Sequence, residues 1–261
     1  MPQARRGAAV RLSWRSWLPW VAALLAVALF CSLGFWQLDR SRQKQALLDG
    51  VGQVLEARSA RPLAEAAMDP ARRQGYDWAS GHGHFVDAPA VVLDNQNREG
   101  RAGVRIYRVF QPQDASPLLV DLGWLPLPGD RTLPRPPRPE GEMRLEGLLA
   151  PPFAGGIARA APAVQAHGDL LVIKVDPAVL SAALGLAPPL APRVLRLDPA
   201  LPLGHVRDLD VLPNTLPPER HLGYAVQWFG LAAAVLITAL LLGLRKLRSA
   251  RPRSPQGRNS P

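Results

Sequence analysis

Two runs without a single charged residue, Trp17 to Leu38 and Leu222 to Leu244, stand near the two ends of this chain. A hydrocarbon core of about 30 Å is crossed by roughly 20 helical residues. Runs of 22 and 23 residues therefore suffice, with some tilt. A chain carrying two such runs folds as two anchors and whatever lies between them. The sequence accordingly divides into a basic tail (1–16), a first transmembrane helix (17–38), a central segment (39–221), a second transmembrane helix (222–244) and a second basic tail (245–261).

Charge gives the orientation. The formal net charge is +10, from 31 Lys and Arg against 21 Asp and Glu. Ten of the basic residues, Arg5, Arg6, Arg11, Arg15, Arg245, Lys246, Arg248, Arg251, Arg253 and Arg258, sit on the two tails, which hold no acid. The central segment is neutral. A nucleic-acid binder concentrates positive charge on its folded domain, so no nucleic-acid partner is expected. Positive flanks stay in the cytoplasm, so both tails are expected there and the central segment on the other side.

Arg5 and Arg6 ahead of an apolar run could open a cleaved signal peptide. The run is longer than the usual apolar core of such peptides, and Gly34-Phe35-Trp36-Gln37 lacks a small-x-small cleavage site. An uncleaved anchor is the expectation. Cys31 is the single cysteine and lies inside the first run, so neither an intramolecular disulfide nor Cys-x-x-Cys metal or redox chemistry is available.

Beyond the first span, apolar Leu47, Leu48, Val51, Val54 and Leu55 recur at helical spacing and predict a helical extension over 39–57, weakened by Gly50 and Gly52. From Gly75 the period shortens to runs rich in β-branched residues. Strands are predicted at Asp77 to Phe85, Val91 to Asn95, Val104 to Phe110, Leu118 to Leu122, Met143 to Leu149, Leu170 to Val175 and Arg193 to Leu197. Asn95 to Gly103 reads as a hairpin connection. Six prolines between Pro126 and Pro139 exclude a central strand or helix there. Asp176, Pro177 and Gly185 mark the N-cap, first position and stop of a helix over Pro177 to Leu186. The expected architecture is two transmembrane helices flanking a β-rich domain with one or two helices, its strands antiparallel and either closed into a barrel or stacked as a sandwich.

Few residues carry a chemical signal. There is no Gly-x-Ser-x-Gly elbow, no phosphate-cradling loop and no His-Glu-x-x-His, so an enzyme is not expected. Asp94 and Asp121 end apolar strands, where aspartates commonly turn the chain. His82 and His84 share one face of a predicted strand, short of a closed ligand set. His221 differs, because Tyr224 and Trp228 follow it at i+3 and i+7 and turn an imidazole, a phenol and an indole the same way at the membrane boundary. Such a face suits a flat amphipathic ring, and a porphyrin iron accepts a neutral imidazole. Tyr224, Trp228 and Trp36 equally fit an interfacial aromatic belt. Arg40 and Arg42, just beyond the first span, suit either the carboxylates of such a ligand or lipid headgroups.

Four segments in order, Trp36-Gln37-x-x-Arg40, Leu93-Asp94-Asn95, Val120-Asp121-Leu122-Gly123-Trp124-Leu125-Pro126 and His221-Leu222-x-Tyr224-Ala225-x-x-Trp228-Phe229, resemble the Surfeit-locus protein-one family. The resemblance spans nearly the whole chain. It implies an assembly factor for haem-copper cytochrome c oxidase that binds haem A and assists its insertion into the largest subunit. His221 would then be the axial ligand of the haem iron, with Tyr224, Trp228, Trp36 and Arg40 around the ring. The implied partners are oxidase subunit I and haem A synthase. The implied location is the inner membrane of a bacterium, with cytoplasmic termini and a periplasmic central domain. Leu122 stands where the family usually has Arg, so any ionic contact of that Arg is lost. Two rival readings are a chaperone of oxidase subunits that binds no haem, and a doubly anchored periplasmic sensor or hydrolase. The latter requires a pocket with convergent polar groups.

Overall fold

The computed structural model describes residues 17–153, 161–212 and 215–249. Of the expected cytoplasmic tails, 1–16 and 250–261 lie outside the described residues. Contacts divide the chain into two units, one taking the chain up to Leu47 and from Thr215 onward, the other what lies between.

The first unit is built on two long helices. With its only proline, Pro19, in the opening turn, nothing interrupts helix α1, which runs from Leu18 to Ala57 without a break. The expected extension continues the helix of the first span, and Gly50 and Gly52 lie within it. It stops where Arg58 takes a left-handed φ of 41°. Helix α4 runs over Pro218–Ser249, with proline at its first position, Glu219 in its first turn and Lys246 and Arg248 in its last. Both helices are long and apolar enough to cross a membrane.

In the second unit the chain continues as β1 (Arg61–Pro62), α2 (Leu63–Met68), β2 (Asp77–Phe85), β3 (Val91–Arg98), β4 (Arg101–Pro112), β5 (Leu118–Pro126), β6 (Met143–Ala150), β7 (Ala163–Val164), β8 (Leu170–Val172), α3 (Pro177–Ala183) and β9 (Val194–Leu197). All seven expected strands are present, α3 is the helix expected from Pro177, and α2 is a second short helix that no sequence signal placed. Asp176 caps α3 by accepting a hydrogen bond from the Val179 amide, and Gly185 follows at a φ of 63°. The hairpin between β3 and β4 is tighter than expected. Its turn is Glu99-Gly100, both at positive φ, the twist that suits a two-residue connection.

The expected direction of the sheet is corrected. Among the described residues its nine strands run in the order β1-β2-β6-β9-β5-β4-β3-β8-β7, which leaves β1 and β7 as edges, so the sheet is not a barrel. Nor is it antiparallel throughout: β1 with β2, β3 with β8 and β5 with β9 are parallel pairs. A further short pairing sets Gly83 to Phe85 against Phe110 to Pro112. β8 and β9 return to strands laid down long before them in the chain. Apolar content shows that a strand is buried but not which way it runs.

Alternation along the strands sorts side chains to two sides. Val92, Ile106, Phe110, Leu118, Val120, Leu122 and Leu195 join one buried cluster with α2, and Val91, Leu93, Tyr107, Val109, Leu119 and Val194 join another with Leu180 of α3. Burial on both faces explains why these strands read as near-continuous apolar runs.

Candidate functional site

His221 lies in the first turn of α4, just ahead of the uncharged run from Leu222, and is only 7% exposed. It faces α1. Its Nδ1 is 2.7 Å from Oε1 of Gln37, a residue 184 positions earlier in the chain. An amide oxygen only accepts, so the ring proton sits on Nδ1 and Nε2 carries the lone pair. That Nε2 is buried and has no hydrogen-bond partner among the described residues. Burial, together with the positive charges of Lys44 and Arg40, holds the imidazole pKa below the ordinary histidine value, so the ring is neutral at pH 7.

Further contacts zip the same ends of the two helices together. Ser41 Oγ donates to the Pro218 carbonyl at 2.9 Å, and Lys44 Nζ donates to the Leu216 carbonyl. Deeper along the helices, Phe35 meets Phe229 edge-on at 5.2 Å, and Phe30 stacks on Trp228 at 5.7 Å. The close approach is made at Gly34, where a Cβ would come within 2.7 Å of the Phe229 ring. On α4, Ala232 is buried, while Ala233 and Ala234 are exposed.

The sequence-derived site residues fall into two groups. His221 and Trp228 turn toward α1, the latter against Phe30. Trp36, Arg40 and Tyr224 are exposed, and Arg40 donates to Gln43 Oε1 at 3.2 Å. Gln37 is the member that sequence reasoning passed over. It stands inside the Trp36-Gln37-x-x-Arg40 segment, but only the pairing of the helices reveals what its amide meets.

Elsewhere the candidates separate. His82 and His84 are exposed on β2, with His84 Nδ1 3.2 Å from Glu142. Among the described residues no three His, Cys, Asp or Glu side chains gather as a metal site would require. A cleft of about 280 Å³ in the β domain is lined by Gln96, Arg98, Arg105, Trp124 and Asp208 with their neighbours. Both of its arginines are held in ion pairs, Arg98 with Asp208 and Arg105 with Asp121 beside the cleft.

The sequence model of the SURF1 family matches residues 24–233, from within the first apolar helix to within the second. The chain belongs to the SURF1 family. No curated protein matches it. The family is linked to the assembly of cytochrome oxidase and is one of assembly factors rather than of catalysts. In this SURF1 protein two apolar helices flank a mixed β-sheet domain, an arrangement that accords with membrane anchoring.

The helix pairing carries a prediction of its own. Gly34→Ala should weaken the pairing by about 1–3 kcal/mol, the usual cost of inserting a methyl into a filled contact. Phe229→Leu in the same chain should recover most of that loss. Thermal unfolding of the full chain in micelles measures both, and a Gly34→Ala protein as stable as the parent would show that Gly34 is not a contact point.

Proposed function

We propose that this SURF1 protein assists assembly of haem-copper cytochrome c oxidase by holding haem A through Nε2 of His221 at the outer membrane boundary and releasing it to subunit I, with haem A synthase as the supplier. The protein would stand in the inner membrane of a bacterium, its termini cytoplasmic and its β domain periplasmic. The observation that carries the reading is the setting of His221, its Nδ1 2.7 Å from Oε1 of Gln37 and its Nε2 buried and used by no described residue.

The donor chemistry fits the group. When bound, haem supplies an iron that accepts a neutral imidazole nitrogen. His221 offers that nitrogen, and Gln37 keeps the proton away from it. Tyr224, exposed one turn beyond His221, offers an aromatic face to a flat macrocycle, and Trp228 lies deeper along α4 against Phe30. Arg40, exposed on α1, brings a planar fork of donors suited to carboxylates. The neighbouring cations Lys44 and Arg40 favour an anionic ligand and oppose protonation of the ring.

His221→Ala tests the proposal. Haem A retained by the purified protein should fall to near background, together with the haem content of the oxidase assembled beside it. Retention unchanged in His221→Ala would overturn the ligand role. A wild-type protein with no Soret absorption, purified from cells making haem A, would favour the haem-free chaperone instead.

A further inference from the structure

We infer that Gln37 is the positioning residue of this site: its amide oxygen fixes the Nδ1–H tautomer of His221 and so presents Nε2 as the ligating atom. The identity of the ligand rests on the proposed haem role, whereas the tautomer does not.

A histidine side chain free in water favours the proton on Nε2, the wrong arrangement for a ligand that must use that nitrogen. Reversing the preference takes an acceptor fixed on the Nδ1 side. Gln37 Oε1 is that acceptor, at 2.7 Å. Its placement is rigid because it stands mid-helix in α1, held by the Gly34 and Phe229 contact below it and by Ser41 on Pro218 above it. The charges of α1 that act on the ring are those of Lys44 and Arg40, and both side chains are donors. Gln37 is thus a hydrogen-bond acceptor among cations, and it is neutral. A neutral acceptor orients the imidazole without pulling its proton, which leaves the nitrogen a moderate donor that can also let go. Release matters for a protein that passes its ligand on. Outer-shell acceptors of this kind orient metal-bound histidines and tune the metal they hold.

The test uses the full chain in micelles, with ¹⁵N-labelled histidine and the His221 signals assigned by their loss in His221→Asn. The ligand-free wild type should show the proton on Nδ1, and Gln37→Leu should shift the ring toward Nε2–H. Ser41→Ala removes a different bond between the same helices and should leave the tautomer unchanged. With hemin as the probe, Gln37→Leu should lose on the order of ten- to a hundredfold in affinity. Gln37→Glu keeps an acceptor and should bind, with the iron–histidine stretch raised and the midpoint potential lowered relative to wild type. An Nε2–H tautomer in the wild type, or equal tautomers in wild type and Gln37→Leu, overturns the inference whether or not hemin binds. An Nδ1–H tautomer in a wild type that binds no hemin overturns the haem role and leaves the tautomer assignment standing.

Discussion

Arg193→Met should destabilise the β domain by about 3–5 kcal/mol, because it breaks a buried ion pair from one side and strands several carbonyls. Arg193 has no exposed surface. Its guanidinium donates to the carbonyls of Ala66 at 3.1 Å, Gly75 at 2.9 Å and Leu149 at 3.0 Å, and it pairs with the Asp77 carboxylate at 2.7 Å. One side chain therefore ties α2, the loop ahead of β2, β2 itself and β6. Methionine fills most of the volume but bonds to none of them. Lysine, a point charge in place of a fork, should recover only part of the loss.

The same cluster fixes a pH dependence. Burial pushes the Asp77 carboxyl upward, but hydrogen bonds from Arg193 and Arg72 outweigh it and hold the group below the usual carboxylate range. A depressed carboxyl contributes stability that is fully present above its unfolded value, about 3.9, and is lost as pH falls through the folded value. Urea unfolding of the full chain, read by tryptophan fluorescence, should show the loss of stability in Arg193→Met at pH 7 and a smaller gap between variant and parent in strong acid. Arg61, which also reaches Asp77 but has a side chain 40% exposed, should cost no more than about 1 kcal/mol when replaced by Ala. An Arg193→Met protein within about 1 kcal/mol of the parent would refute the clamp.

What could be read from the sequence follows from what a one-dimensional pattern encodes. Apolar runs and their periods revealed the two long helices, all seven principal strands and the cap of α3, since each is settled by residues within a few positions of one another. Pairing direction was not legible. β8 and β9 are short apolar segments whose partners, β3 and β5, lie scores of residues earlier, and nothing local distinguishes a parallel neighbour from an antiparallel one. β1, β7 and α2 are too short to show a period.

For the candidate site the division is similar. His221 stood out by its place at a span end, whereas Gln37 looked like one more polar residue at a boundary. Its meaning lies in a contact 184 residues away in sequence. Arg193 was missed for the same reason. At the start of an apolar strand a charged residue reads as solvent-facing, and only the assembled carbonyls and carboxylate account for its burial.

Asp121 and Leu122 show how a family segment can be structural at the level of single residues, and they carry the second large prediction. Asp121 is 2% exposed; one carboxylate oxygen accepts from the Gly123 amide at 2.9 Å and the other pairs with Arg105 at 2.7 Å. Leu122 points the other way, into the core cluster that includes Ile106 and Val120. The β4–β5 register slips beside it, so Ile106 faces Gly123 and Tyr107 faces Asp121. Gly123 meets this bulge with a φ of 112°, where a Cβ would lie 2.8 Å from the His205 carbonyl. The bulge therefore depends on Asp121 holding the Gly123 amide while Arg105 neutralises the carboxylate. Arg105→Met should cost about 3–5 kcal/mol, since it leaves a buried carboxylate without its cation. Asp121→Asn, which keeps an oxygen for the Gly123 amide and removes the charge, should cost about 1–3 kcal/mol. In the double variant the second change should recover at least half of the first loss, because the uncompensated charge is gone. A full cycle of urea unfolding on the intact chain measures that coupling. Strictly additive losses would mean that the pair contributes no ionic coupling and that Leu122, Gly123 and the surrounding apolar contacts hold the bulge without it.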